Sequence, residues 1–356
     1  MKRRHLIKAG GASALALGAA GVAHAEEKKQ YNWKMVMSWP KGFPGLGTGA
    51  QWFADELRRV TDGQINLTIY GGGELVPALE VFNAVSDGTA EIGHGASYYW
   101  KGTVPEAELF CSVPFGMIPI EHTAWYNNGG GRELQAELYK PFGVIPMLGG
   151  NSDSQMGGWF NKEINSIDDF KGLKIRIPGI GGEVLQRAGA TTVTMPGSEI
   201  FTSMQNGVID AADWVGPWND LAFGLHKTAK YYYGGWHEPS AGIDLLINEK
   251  AWNELTPELQ AQVEAVAQAM NQNMISEFRI NNGKSLDTLV NENGVEVRYF
   301  DKETLKHLQD ITDEYLEEYA QQSDIAKRIK ESYQTFLKQQ IAVSKNNQQI
   351  LDARAE

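Results

Sequence analysis

Two periodicities take turns along this chain, and their order limits its fold more than any other feature. Residues 33–37 form a short apolar run that reads as a buried strand. Residues 51–61 follow helical spacing, with Trp52, Phe53 and Leu57 on one face and Arg58 and Arg59 elsewhere. Ile65, Leu67 and Ile69 then alternate with polar neighbours, residues 76–86 return to helical spacing, and residues 90–95 read as the next strand. Strand, helix, strand, helix, strand is the order of an α/β layer with right-handed crossovers.

A second unit of the same kind starts near Gly149. Residues 155–160 and 173–177 read as strands, 183–188 as a helix and 192–195 as a strand. Ser198 is expected to cap a helix that Gly207 stops. Residues 210–215 read as a strand, 218–232 as a helix and 242–247 as a strand returning to the first unit. Thr256-Pro257 opens the longest helix, whose apolar stripe runs through Leu259, Val263, Val266, Met270, Met274 and Phe278. Residues 295–300 read as a strand, and two amphipathic helices broken near Ser323 end the chain. The expected architecture is α/β, with two domains joined by strands acting as a hinge and a long helix spanning both. Domain I takes residues 31–148 and about 244–290; domain II takes 149–243 and about 291–322. Residues 323–356 form a C-terminal helix that packs on its own domain or clasps a second subunit as a homodimer.

Residues 1–25 read as an export signal. A basic segment free of acidic residues, a weakly apolar Gly/Ala/Leu run and the small-residue site Ala23-His24-Ala25 follow in order. Arg3-Arg4 ahead of Leu6 and Ile7 fits a twin-arginine signal, with the general secretory route as the alternative. The full chain carries 32 basic and 44 acidic residues. Cleavage after Ala25 removes four basic residues and leaves a net charge of −16, a surface that repels phosphate backbones and argues against nucleic-acid binding. Cys111 is the single cysteine, which excludes an intramolecular disulfide and a zinc-finger spacing, and its apolar surroundings suit a core thiol. The sequence has no G-x-S-x-G elbow, no H-E-x-x-H and no P-loop. His94 beside Ser97 allows a Ser-His pair, against the commoner reading of a structural histidine. An exported hydrolase or lyase using His94 or Asp213, and a secreted scaffold, stand as rivals to a binding protein.

Three stretches carry a family likeness. GQINLTIYGGGELVPALEVFNAVSDG at 63–88, and KIRIPG with MPGSEIFTSMQNGVIDAAD between 173 and 213, resemble the solute-binding proteins of tripartite ATP-independent periplasmic (TRAP) transporters, of the dicarboxylate-receptor type. GGNSDSQMGGWFNKEI from Gly149 and DWVGPWND from Asp213 resemble the branch that binds 2-oxo acids or lactate with a metal ion.

The resemblance implies a periplasmic receptor, not an enzyme, that hands its ligand to membrane permease subunits; the same fold binding another carboxylate, an amino acid or a polyol is the alternative. It implies that Arg176 pairs with the ligand carboxylate, as a guanidinium fork suits. It implies that Gln155, Asp213 and the Trp214 carbonyl hold sodium or calcium, with Gln155 and Trp214 also near the ligand. This branch often has Glu where this chain has Asp213. One Asp, one Arg and one ligand carboxylate balance a monovalent cation and leave +1 with a divalent one. Tyr98 and Tyr99 are expected on the facing wall, with Phe115 and Asn151 assisting.

Overall fold

The structure, a computed structural model, describes residues 29–355. The export signal read in residues 1–25 lies outside them. The chain folds as β1 (Tyr31–Met37), α1 (Leu46–Val60), β2 (Ile65–Tyr70), α2 (Val81–Ser86), β3 (Ile92–Gly95), α3 (Pro119–Asn128), α4 (Gly131–Tyr139) and β4 (Val144–Asn151). There follow β5 (Gly158–Phe160), β6 (Lys174–Arg176), α5 (Gly179–Arg187), β7 (Thr191–Val193), α6 (Gly197–Gln205), β8 (Ala211–Ala212), α7 (Pro217–Phe223) and β9 (Tyr231–Tyr233). The chain closes with β10 (Gly242–Asn248), α8 (Glu249–Asn253), α9 (Pro257–Asn291), β11 (Glu296–Arg298), α10 (Lys302–Tyr319) and α11 (Asp324–Ala355).

These strands make two sheets, in the orders β2-β1-β3-β10-β4 and β11-β9-β5-β8-β6-β7. In the first, β1 runs parallel to β2 and β3, and β10 runs antiparallel between β3 and β4. In the second, β6 runs parallel to β7 and β8, while β5 is antiparallel to both β8 and β9. The chain passes between the sheets where β4 leads to β5, where β9 returns to β10, and through α9. Pro146 sits inside β4; the strand is at the sheet edge, where a missing N–H is tolerated.

The alternation of periods translates into elements in outline: residues 76–80 fall outside α2, 155–157 outside β5, 210 and 213–215 outside β8, and α3 and α4 carry no counterpart in the sequence reading. Three further departures have clear local causes. Residues 218–232 are not one helix. Gly224, at φ 72°, ends α7 after Phe223, and Tyr231–Tyr233 forms β9. A left-handed glycine past the last turn is an ordinary helix stop, and the aromatic run that follows prefers a pleated surface. The strand β4 continues through Gly149 and Gly150 to Asn151. The cap of α6 is Pro196 rather than Ser198, which lies inside the helix.

Helix α9 explains how the two sheets are held. All six stripe residues from Leu259 to Phe278 are buried. They pack on α1 and β4 from the first sheet's side and on α7 from the second. Phe278 meets Trp218 of α7 edge-on at 5.3 Å. Helix α10 packs on α5, and α11 returns to α3 and α4. The near half of α11 is anchored by buried Ala326, Ile329 and Tyr333. Cys111 is fully buried, as its surroundings in the sequence imply.

Asp244 of β10 lies under α4, where Gln135 Nε2 and Tyr139 Oη donate to its Oδ2 at 2.8 and 2.9 Å. Burial pushes this carboxyl up to about 7. A folded-state value above the unfolded one gives stability that is complete below about pH 4 and is lost as pH rises through about 7. The unfolding midpoint of the wild type is therefore expected to fall more between pH 5 and pH 8 than that of Asp244→Asn. Equal slopes in thermal unfolding would contradict this account.

Candidate functional site

Strand β6 ends on Arg176, whose side chain is fully buried. Its guanidinium is held from three sides. Nε donates to the Met195 carbonyl at 3.2 Å, Nη1 to the Asp213 carbonyl at 2.8 Å, and Nη2 to Tyr99 Oη at 3.1 Å. The Trp214 ring lies 5.3 Å from the guanidinium carbon. An arginine has five N–H donors, so one N–H remains on each terminal nitrogen for another acceptor. The ladder fixes the position: Asp213 N donates to the Arg176 carbonyl at 2.8 Å, which ties the end of β8 to the end of β6.

Tyr99 reaches Arg176 from the other sheet. It lies in a single 3₁₀ turn, Ser97–Trp100, at the C-terminal end of β3, where loops of parallel sheets meet ligands. Tyr98, edge-on to Tyr99 at 4.8 Å, rests on Gly179, the first residue of α5. A Cβ there would come within 2.9 Å of the Tyr98 ring, and Gly179 has φ +63°. Only glycine meets both demands without strain.

Asp213 is buried, with Oδ2 at 3.7 Å from Arg176 Nη1 and Oδ1 at 3.3 Å from His237 Nε2. Neither contact is aligned as a hydrogen bond, and both carboxyl oxygens lack a donor, as does Gln155 Oε1. Gln155 belongs to the same neighbourhood through the backbone. Its N–H donates to the Glu238 carbonyl at 2.9 Å, and Met156 N–H to the Val215 carbonyl at 3.1 Å. Its amide nitrogen is spent on Ser152 Oγ at 2.8 Å, which leaves the oxygen as the free end. A buried acceptor without a donor costs about 1–3 kcal/mol, and more when charged. Orphaned carboxylate and amide oxygens in a buried polar site are the donor set of a hard cation. The free oxygens of Gln155 and Asp213 thus suit a sodium or calcium ion.

The sequence of residues 35–322 matches the profile of the bacterial extracellular solute-binding proteins, family 7 (DctP). The chain belongs to this family. It is 39% identical over 317 residues to a monocarboxylate 2-oxoacid-binding periplasmic protein of Nostoc sp., which covers 89% of this chain and 86% of that one. Its fold superposes with TM-score 0.89 on a TRAP periplasmic solute-binding protein of Pseudoalteromonas atlantica crystallised with sodium and pyruvate, at 38% identity over 91% of this chain and 99% of that one. The protein of Colwellia psychrerythraea, crystallised with calcium and pyruvate, gives the same TM-score and identity over 91% of this chain and all of its own. The two-sheet architecture is thus that of two-domain TRAP solute-binding proteins.

Within this solute-binding fold, Arg176, Asp213, Trp214, Tyr98 and Tyr99 come together, and Gln155 joins them through its backbone. Phe115 and Asn151 stand further back. Phe115 packs on Trp236 at 5.9 Å. Asn151 donates to Ser240 Oγ and accepts from Asp153 N–H, so it braces the two crossing segments against each other. His94 donates to or accepts from nothing at Ser97. Its Nε2 lies 3.2 Å from the Gly149 carbonyl, and burial lowers its pKa to about 3.

His237 and Glu238 escape sequence reasoning. Both are buried beside Asp213, and ligand atoms of the three lie within 4.8 Å of one another. Burial opposes charge on His237, but the Asp213 carboxylate overrides it and holds the imidazole above its usual value. Burial pushes the Glu238 carboxyl up. The count of one Asp against one Arg is therefore incomplete, because two further ionisable groups share the pocket. The only sequence hint is the adjacent pair itself, on the return from β9 to β10.

Gly179→Ala is expected to lower stability by about 1–3 kcal/mol in denaturant unfolding, through the left-handed backbone and the Tyr98 contact. An unchanged midpoint would show that the close approach of Tyr98 is not a constraint.

Proposed function

We propose that the protein is an exported receptor that captures a small monocarboxylate with an oxygen on the neighbouring carbon, a 2-oxo acid such as pyruvate, or lactate. The observation that carries this reading is the buried Arg176 guanidinium, fixed on three sides and retaining a donor on each terminal nitrogen. Two parallel charge-assisted bonds to one carboxylate suit that fork, which lysine cannot reproduce. A cation, sodium or calcium, held by Gln155, Asp213 and the Trp214 carbonyl would accept one carboxylate oxygen and the adjacent oxo or hydroxyl oxygen. Tyr98, Tyr99 and Trp214 would enclose the short apolar end. The Nostoc relative's 2-oxoacid binding and the pyruvate in the two crystallised neighbours support this reading.

The two lobes would be residues 31–148 with about 244–290, and 149–243 with about 291–322. They close around the ligand, since Arg176 and Tyr99 stand on opposite sheets. Closure is the state that membrane permease subunits would recognise. The signal is cleaved after Ala25, and the protein works in the periplasm without turning its ligand over. The far part of α11 exposes Ile341, Val343, Ile350 and Leu351, a surface suited to a second copy of the chain. Removing residues 323–356 would then halve the mass in solution.

Calorimetry with pyruvate, 2-oxobutyrate, lactate, succinate and mannitol tests the ligand. The first three are expected to bind and the last two not. Arg176→Ala is expected to lose at least about a hundredfold in pyruvate affinity, or about 2.7 kcal/mol. Retained affinity in a folded variant would reject the role of Arg176, and preferential binding of succinate or mannitol would reject the ligand class.

A further inference from the structure

We propose that Lys101 is a positioning residue for ligand capture: with Glu183 and the buried Glu108 it forms an ionic latch that holds the Tyr98–Tyr99 turn against α5 and slows the escape of a bound ligand. The inference rests on the reading of the cleft between Arg176 and Tyr99 as the ligand site.

Geometry supplies the first argument. Lys101 directly follows the 3₁₀ turn Ser97–Trp100 that carries both tyrosines. Its Nζ lies 2.5 Å from Glu183 Oε1 and 3.6 Å from Glu108 Oε2. Glu183 belongs to α5, one turn along from Gly179, which lies against the Tyr98 ring. Glu108 belongs to a second 3₁₀ stretch, Pro105–Phe110. Residues 101 and 108 fall in the proposed first lobe and residue 183 in the second. One ammonium therefore joins the lobes beside the two tyrosines, outside the set of groups that hold Arg176.

Burial makes the arrangement more than a surface ion pair. The Glu108 side chain is only 2% exposed, and its Oε2 has no hydrogen-bond donor. Its Oε1 accepts from Tyr315 Oη of α10. Arg187 of α5 lies over the Tyr315 ring at 5.1 Å, so the second lobe itself presents that hydroxyl to Glu108. Burial opposes charge on Lys101, and the Glu108 and Glu183 carboxylates override it.

Separation of the lobes takes Tyr315 from Glu108 and Glu183 from Lys101 in one motion. An exposed ion pair contributes little, but a buried carboxyl that loses a partner is costly. The latch therefore favours the closed arrangement. Because it forms only on closure, its effect falls on ligand release rather than on encounter.

The test is stopped-flow tryptophan fluorescence of the mature protein with pyruvate. Glu183→Gln keeps the shape of the side chain and removes the charge pair between lobes. It is expected to raise the dissociation rate at least about threefold and to leave the association rate within about twofold. Lys101→Met is expected to do at least as much, and the double variant no more than Lys101→Met alone. A smaller rise in the dissociation rate of a folded Glu183→Gln protein, or effects that add in the double variant, would overturn the proposal. Should Lys101→Met fail to fold, Glu183→Gln decides alone, with Glu183→Asp expected between it and the wild type. Should the wild type bind no pyruvate, the proposed function fails, and small-angle scattering of the ligand-free chain judges the latch. Glu183→Gln is then expected to enlarge the radius of gyration, and an equal radius would overturn the latch.

Discussion

One buried positive charge organises this protein. Arg176 ends a strand of the second sheet with no solvent contact, and removing a guanidinium from water is tolerated only where acceptors and negative charge surround it. Two carbonyls and Asp213 answer from the same sheet, and Tyr99 answers from the other. The contact between lobes is thus part of the solvation of one side chain. Gly179, which alone lets the Tyr98 ring approach the start of α5, makes that contact possible.

The connections between the sheets meet at the same place. Strands β4 and β10 run antiparallel side by side in the first sheet, and the chain leaves both of their ends for the second sheet. Gln155 lies on one crossing and His237 and Glu238 on the other, while Asp213 and Trp214 follow β8. A candidate site assembled from three such segments is complete only when the segments are in register. Helix α9, packed on α1 and β4 on one side and on α7 on the other, ties the two sheets together.

Much of the fold was legible in the residues because period and punctuation agree. The α9 stripe, the Thr256-Pro257 start and the break near Ser323 all follow local rules. The failures have local causes too. Residues 218–232 kept an apolar spacing that masked the stop at Gly224, and Pro146 with the glycine pair at 149–150 concealed an edge strand. Arg176 and Asp213 were legible through a family resemblance rather than spacing, for they stand 37 residues apart and meet only through a β6–β8 ladder. His237 and Glu238 left no signal beyond their adjacency. Their partner Asp213 lies on a different strand end, and no periodicity records a juxtaposition created by the return of β9 to β10.

The central claim is that the Arg176 fork and the oxygen-lined cation site grip one anion together. The direct measurement is pyruvate affinity in chelator-treated protein, with and without calcium or sodium restored. Joint action predicts a loss of at least about tenfold when the cation is withdrawn, equal to about 1.4 kcal/mol of coupling, and recovery when it is returned. Equal affinity in both conditions would mean that the guanidinium binds alone and the cation site plays no part.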